Sequence, residues 1–296
     1  MRSRLLSLLA LLVALFVAVP AASAATAETA TTKVVKVGKQ KVGYRTFGSG
    51  RPLVMVMGLG GTMDSWDPTF LDALAAGGHR IVLLDNEGVG KTTALKGNLT
   101  MARMADTTAG LIKRLKLSRP DVAGWSMGGM IAQSLAVRHP KSLRRLILMA
   151  TAPGDGKGAA PTPAALQELT HPSGTAALLQ LLFPPDQTTA LTNYVADLVK
   201  RPQIQPQAPA SQSVKQTSAT GAWLIGQERE GRRVANLTLA TLIGGGELDQ
   251  LLPVANQRHL AELIKRSQLV TYPDAAHGFL FQHADDWVPR MLAFLG

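Results

Sequence analysis

Gly124-Trp125-Ser126-Met127-Gly128, followed at once by Gly129, is the stretch on which the reading of this chain turns. The run Asp121-Val122-Ala123 leads into it with the pattern of a strand, and Met130–Val137 leads out with that of a helix. A serine at such a strand-to-helix turn sits in strained backbone geometry with its hydroxyl pushed into the open. The flanking glycines answer a packing demand, because neighbouring chain comes too close for a Cβ. The backbone N–H of Met127 then points toward the space where a tetrahedral oxyanion would form. A pentapeptide this short also arises in ordinary glycine-rich turns. Its strand–turn–helix context is what favours a nucleophile.

A serine needs a base, and the base needs a partner that fixes its tautomer. Among the six histidines, His277 in Asp274-Ala275-Ala276-His277-Gly278-Phe279 follows a strand and can be projected by a loop. His283, six residues on, is its rival; His79, His139 and His259 sit near element ends beside Arg or Pro, and His171 falls in a helical region. For the acid, Thr241–Gly246 runs as a strand into Glu247-Leu248-Asp249, which places Asp249 in the turn beyond it. Glu247 and Asp274 are the competing carboxylates, and each of the three would otherwise be a common turn former. The second oxyanion donor is expected from the glycine-rich loop Gly58-Leu59-Gly60-Gly61 after the strand Pro52–Met57, as the N–H of Leu59.

Working outward, short apolar strands alternate with amphipathic helices. Val34–Val37 and Val42–Phe47, joined across Gly38-Lys39-Gln40, read as a hairpin. Pro52–Met57, Arg80–Leu84, Leu143–Met149, Leu237–Ile243 and Gln268–Tyr272 read as strands, and Met101–Leu115, Ala255–Lys265 and Asp285–Leu295 as helices. This order predicts an α/β fold with a mostly parallel central sheet covered by helices on both faces. Within residues 153–236 no strand pattern occurs. Helical segments are predicted at 163–170, 174–183, 188–200 and about 213–229, forming a cap inserted over the carboxyl edge of a core made of 33–152 and 237–296.

The N-terminus reads differently. Arg2 and Arg4 precede an apolar stretch from Leu5 to Val19, and Ala22-Ser23-Ala24 offers a small-x-small cleavage site. Residues 1–24 are therefore expected to be a secretory signal peptide, with 25–32 a flexible leader and a secreted or cell-envelope location. The apolar stretch is shorter than the ~20 residues of a spanning helix, and no later segment is long and apolar enough to cross a membrane. With no cysteine among 296 residues, disulfides, thiol catalysis and a cysteine-anchored lipid are excluded. The net charge is +11, of which the expected signal segment carries two positives, Arg2 and Arg4; the remaining basic residues are scattered without interleaved aromatics, which argues against nucleic-acid binding. Two decoys fail on spacing. Gly88-Val89-Gly90-Lys91-Thr92 lacks the first glycine of a phosphate loop, where Asp85 stands, and Gly58-Leu59-Gly60 lacks the third glycine of a dinucleotide fingerprint, where Met63 stands. No histidine spacing suits a metal, and no cofactor is expected.

Taken together, these segments resemble the α/β-hydrolase superfamily of esterases, lipases and haloperoxidase-like serine hydrolases, over essentially the whole chain from the hairpin onward. The chain order Ser126, Asp249, His277 matches that superfamily's nucleophile, acid and base, and Asp85–Thr92 resembles its Asp-x-Arg-Gly-x-Gly-x-Ser loop. Three positions depart from the pattern: Met57-Gly58 replaces His-Gly, Glu87 stands for Arg, and Gln250 follows the acid where Pro or Arg is usual. The resemblance implies a secreted serine hydrolase acting on a small-molecule ester or related acyl substrate through an acyl-enzyme. Acyl transfer, perhydrolysis and aminopeptidase chemistry on the same triad are alternatives, as is a non-catalytic binding protein on a hydrolase fold. Leu178, Leu179, Leu181, Leu182, Phe183 and Trp223 supply apolar material for an acyl pocket, or for packing the cap onto the core.

Overall fold

A computed structural model describes residues 25–171, 173–201 and 204–296. The expected signal segment, residues 1–24, lies outside the described residues. Eight strands form one sheet: β1 (Lys33–Val37), β2 (Gln40–Gly48), β3 (Arg51–Val56), β4 (His79–Leu84), β5 (Asp121–Trp125), β6 (Leu146–Met149), β7 (Thr241–Gly246) and β8 (Ser267–Tyr272). Their order is β1-β2-β4-β3-β5-β6-β7-β8. The β1–β2 and β2–β4 pairs are antiparallel and every later pair is parallel.

The strand sequences explain why both faces are covered. Along β3, Leu53 and Met55 enter one apolar cluster while Val54 and Val56 enter the other, and all four are fully buried. A side-chain period of two on a continuous apolar run demands a layer on each side. One layer is built by α2 (Met101–Arg114), α3 (Met127–Arg138) and α8 (Ala255–Leu263), through Met104, Ile131 and Leu260. The other is built by α1 (Pro68–Ala76), the short α9 (Phe279–Gln282) and α10 (Ala284–Leu295), through Leu71, Phe279 and Trp287. The sequence reading missed α1, although Asp67 caps it by accepting the Phe70 N–H at 2.8 Å and Pro68 stands in its first turn. It also missed α9, a single turn too short to show a period.

Between β6 and β7 the described residues form four α-helices: α4 (Pro163–Thr170), α5 (Thr175–Gln180), α6 (Thr188–Leu198) and α7 (Ala210–Leu224). The segment expected to be helical over 174–183 stops at Gln180, and the last one is shifted to 210–224. Helices α6 and α7 of this region are bolted to the core. Trp223 is fully buried and donates its indole N–H to Ala152 O at 3.2 Å. Tyr194 donates to Ser65 O at 2.9 Å and stacks on Phe281 with ring centroids 4.8 Å apart.

A buried ion cluster adds a third attachment. Asp64 pairs with Arg45 of β2 and with Arg201, which approaches to 2.7 Å, and accepts the Gln205 N–H at 2.8 Å. Burial alone would raise the Asp64 carboxyl, but the hydrogen bonds from Arg45 and Gln205 and the charges of Arg45 and Arg201 outweigh it and hold it below the usual range. A carboxyl lowered in the folded state stabilises fully above its unfolded value and loses that contribution as pH falls through the folded one. Asp64→Asn leaves Arg45 buried without its counter-ion and should destabilise the fold by about 3–5 kcal/mol at pH 7. Urea midpoints measured from pH 7 down to pH 3 should show a shallower acid decline for the variant than for the parent.

Candidate active site

Ser126 joins the end of β5 to the start of α3 with φ 58° and ψ −125°, a left-handed φ that a β-carbon-bearing residue adopts only when its surroundings impose it. The surroundings are specific. Ser126 N–H donates to Met149 O at 2.9 Å, and Thr151 Oγ1 donates to Ser126 O at 2.7 Å. Gln257 Nε2 in turn donates to Thr151 O at 2.7 Å. Gly128 is required because a Cβ there would overlap the Val56 carbonyl, so any side chain would push α3 away from β3. Across the turn, Gly58 packs so close that an added Cβ would stand 3.1 Å from Ser126 Cβ.

Asp249 and His277, 28 residues apart in sequence, are both buried and meet in a 2.7 Å hydrogen bond between Oδ2 and Nδ1. Asp249 Oδ1 accepts the N–H groups of Leu251 and Leu252, each at 2.9 Å. These three donors hold the carboxylate in one orientation, and an ionised carboxylate can only accept. Nδ1 of His277 therefore carries the proton and Nε2 is left as the acceptor. Trp125, next to the serine, links the two halves of the site: its Nε1 donates to His277 O at 3.0 Å, and its ring lies 5.5 Å from the imidazole. On the other side Gly278 N–H donates to Leu182 O at 2.7 Å, tying the histidine loop to the helical region. Ser126 Oγ and His277 Nε2 are not hydrogen bonded to each other among the described residues. Such bonds are often long before substrate binds and tighten with it.

The competing residues are engaged elsewhere. His283 Nε2 contacts Asp274 Oδ1 at 2.9 Å near the surface, and Glu247 pairs with Arg258. His139 contacts Asp106 and His259 contacts Asp155, both at 2.7 Å. Met127 opens α3 directly after Ser126, and Leu59 lies half-buried in the loop after β3. Asn86 props that loop by donating to Met57 O at 2.8 Å. Asp85 accepts the Met63 N–H at 2.9 Å and the Lys91 N–H at 3.1 Å; burial pushes its carboxyl up, against the pull of these two donors. The Asp85–Thr92 loop thus braces the glycine-rich loop after β3, and Glu87, which departs from the family pattern, pairs with Arg103.

Phe183 and Trp223 are fully buried packing residues. Leu179 lines an apolar cavity of about 400 Å³ between α5 and α6, and a second cavity of about 390 Å³ lies between α7 and the loop before α2; neither is lined by Ser126, Asp249 or His277. No group of three or more His, Asp or Glu side chains is arranged to hold a metal ion among the described residues.

Trp125, Thr151, Gln257 and Asn86 were not foreseen as parts of the site. Trp125 lies between Gly124 and Ser126 in the turn motif, and its partner lies 152 residues away. Nothing in local sequence signals that contact.

The profile of the alpha/beta hydrolase fold family matches residues 51–284. A putative non-heme bromoperoxidase of Mycobacterium tuberculosis is 40% identical over 108 residues, 36% of this chain and 41% of that protein. The match thus spans less than half of that relative's length. A 2-hydroxymuconate semialdehyde hydrolase of a Pseudomonas species is 27% identical over 242 residues, covering 80% of this chain and 84% of the relative. Among solved structures, an alpha/beta hydrolase fold protein from Chitinophaga pinensis superposes with a TM-score of 0.83 at 25% identity, covering 92% of this chain and 99% of that one.

Two substitutions probe the site's construction. Gly128→Ala should destabilise the protein by roughly 3 kcal/mol or more, since the clash is with backbone and cannot relax by side-chain rotation; a thermal melt within about 2 °C of the parent would contradict the packing described. Asp249→Asn should leave the fold intact and lower turnover by about 10⁴, because the amide can donate to Nδ1 and favour the wrong tautomer. Steady-state kinetics beside circular dichroism checks both parts.

Proposed function

We propose, from the premise that the chain belongs to the α/β-hydrolase fold family, that it is a serine hydrolase of small-molecule acyl substrates, with esters as the leading class. The observation that carries this reading is the buried 2.7 Å contact between Asp249 and His277, joined through Trp125 to the strained Ser126 turn. In this mechanism His277 Nε2 takes the Ser126 proton as Oγ attacks the substrate carbonyl. The negative oxygen is received by the N–H groups of Met127 and Leu59. His277, now doubly protonated and facing the Asp249 carboxylate, returns the proton to the leaving group. Water activated by the same imidazole then releases the acid from Ser126.

A second reading is favoured by the names of the relatives. The haloperoxidase-like and semialdehyde-hydrolase matches are compatible with peroxide as acyl acceptor, or with cleavage of a carbon–carbon bond next to a carbonyl. Both reuse addition to a carbonyl at Ser126, and pocket shape rather than the triad decides between them. We also retain export as part of the proposal, on the charged, apolar and small-residue pattern of residues 1–24.

Ser126→Ala should reduce hydrolysis of short p-nitrophenyl esters by about 10⁶ and abolish labelling by a fluorophosphonate probe. Unchanged turnover in that variant, or no adduct on Ser126 of the parent, would refute the nucleophile assignment.

A further inference from the structure

We propose that Gln216, on the covering helix α7, is a positioning residue for the oxyanion loop, so that the helical region helps to build the donor set as well as to cover it. The inference rests on the reading of Ser126 as nucleophile and of Leu59 N–H as an oxyanion donor.

An oxyanion donor is effective only if its peptide plane is already held when charge develops. A loop such as Gly58-Leu59-Gly60-Gly61 offers little restraint of its own, and Gly60 stands at φ +74°. The restraint is visible peptide by peptide. The carbonyl of the Met57–Gly58 peptide accepts Asn86 Nδ2 at 2.8 Å. The N–H of the Leu59–Gly60 peptide donates to Gln216 Oε1 at 2.7 Å. The carbonyl of the Gly60–Gly61 peptide accepts the Ala208 N–H at 3.0 Å. Between these pinned units lies the Gly58–Leu59 peptide, the one that carries the Leu59 N–H. Asn86 holds it from the core side. Gln216 and Ala208, from the chain that forms and precedes α7, hold it from the other.

Two features of Gln216 mark this as more than incidental contact. It is fully buried, so water does not compete for the Gly60 N–H. Its amide orientation is also fixed, because only the carbonyl oxygen can accept from an N–H. That orientation leaves Nε2 buried with no partner among the described residues, an unfavourable arrangement for the side chain itself. Gln212, one turn earlier on α7, packs against Gly88 and makes no comparable side-chain bond to the loop, which provides a control on the same helix.

The test compares Gln216→Met, Gln212→Met and the unlabelled parent on p-nitrophenyl butyrate, and a separate sample of the parent is labelled with a fluorophosphonate to establish the Ser126 adduct. Methionine keeps most of the volume and removes the acceptor. Gln216→Met should lower kcat by 10- to 100-fold with KM within threefold, less than the loss of a whole donor. The Ki of an alkyl boronic acid, whose tetrahedral adduct on Ser126 places an oxygen in the hole, should rise by a similar factor. Gln212→Met should keep both constants within threefold of the parent. A folded Gln216→Met with unchanged kcat and Ki, or with a loss confined to KM, overturns the proposal. If Gln216→Met does not fold, Gln216→Asn keeps the amide but stops about 1.5 Å short of Gly60. It should show the same loss of kcat, and full kcat there also overturns the proposal. Absence of a Ser126 adduct on the parent overturns both this inference and the functional reading beneath it; an adduct with unaffected variants overturns this inference alone.

Discussion

The main chain of α3 runs so close to the end of β3 that the Val56 carbonyl occupies the place where a side chain on Gly128 would begin. The site depends on that approach. It brings the first N–H groups of the helix up to the sheet's edge and forces Ser126 into a left-handed conformation. The conformation costs of order 1–3 kcal/mol and persists only where neighbours over-determine it. Here Met149 O, Thr151 Oγ1 and the Gly129 N–H hold the turn's amide and carbonyl on both sides. The strain is held by β6 and the residues just beyond it, which places the serine hydroxyl at the carboxyl edge of the parallel sheet.

The other half of the site is organised by a carboxylate with no freedom left. Asp249 accepts from two backbone N–H groups of its own turn and from His277, so the imidazole has one tautomer and one orientation. Gly246 allows the required approach, since a Cβ there would overlap the carbonyls of Ala275 and Ala276. Close backbone packing therefore recurs on both sides of the candidate site, at Gly128 beside Ser126 and at Gly246 beside Asp249 and His277. Trp125 spans the gap between them with an indole N–H on one side and an aromatic face in the cluster of Trp66 and Phe281 on the other.

The helical region is attached where the site is built. Leu182 holds the peptide after His277, Trp223 holds the chain after β6, and Tyr194 packs on Phe281 beside Trp125. By contrast α5 has no buried residue of its own. Attachment is thus concentrated at α6, α7 and the turn around Phe183, while α4 and α5 form the outer, more exposed part. A covering element fixed in this way transmits its position to the loops beneath it, through bonds such as that between Gln216 and Gly60.

The sequence alone determined the features that depend on local pattern. Continuous apolar runs such as Leu53–Val56 required a sheet buried on both faces, and glycines around Ser126 marked a turn with no room for a Cβ. The chain order of Ser126, Asp249 and His277 singled out three residues, two of which the fold brings into contact around the strained third. Helix ends in the inserted region and the single-turn α9 escaped because short segments carry too little periodicity to outweigh their neighbours, and α1 was overlooked although Asp67 and Pro68 mark its start. Only the tertiary structure decided which groups brace the site. Trp125 to His277, Thr151 to Ser126, Asn86 to Met57 and Gln216 to Gly60 join residues 25 to 156 positions apart. A strand or a glycine turn is specified by forces acting within a few residues. A buried hydrogen bond across the fold exists only once packing has excluded water from both partners, and no short stretch of sequence records that event.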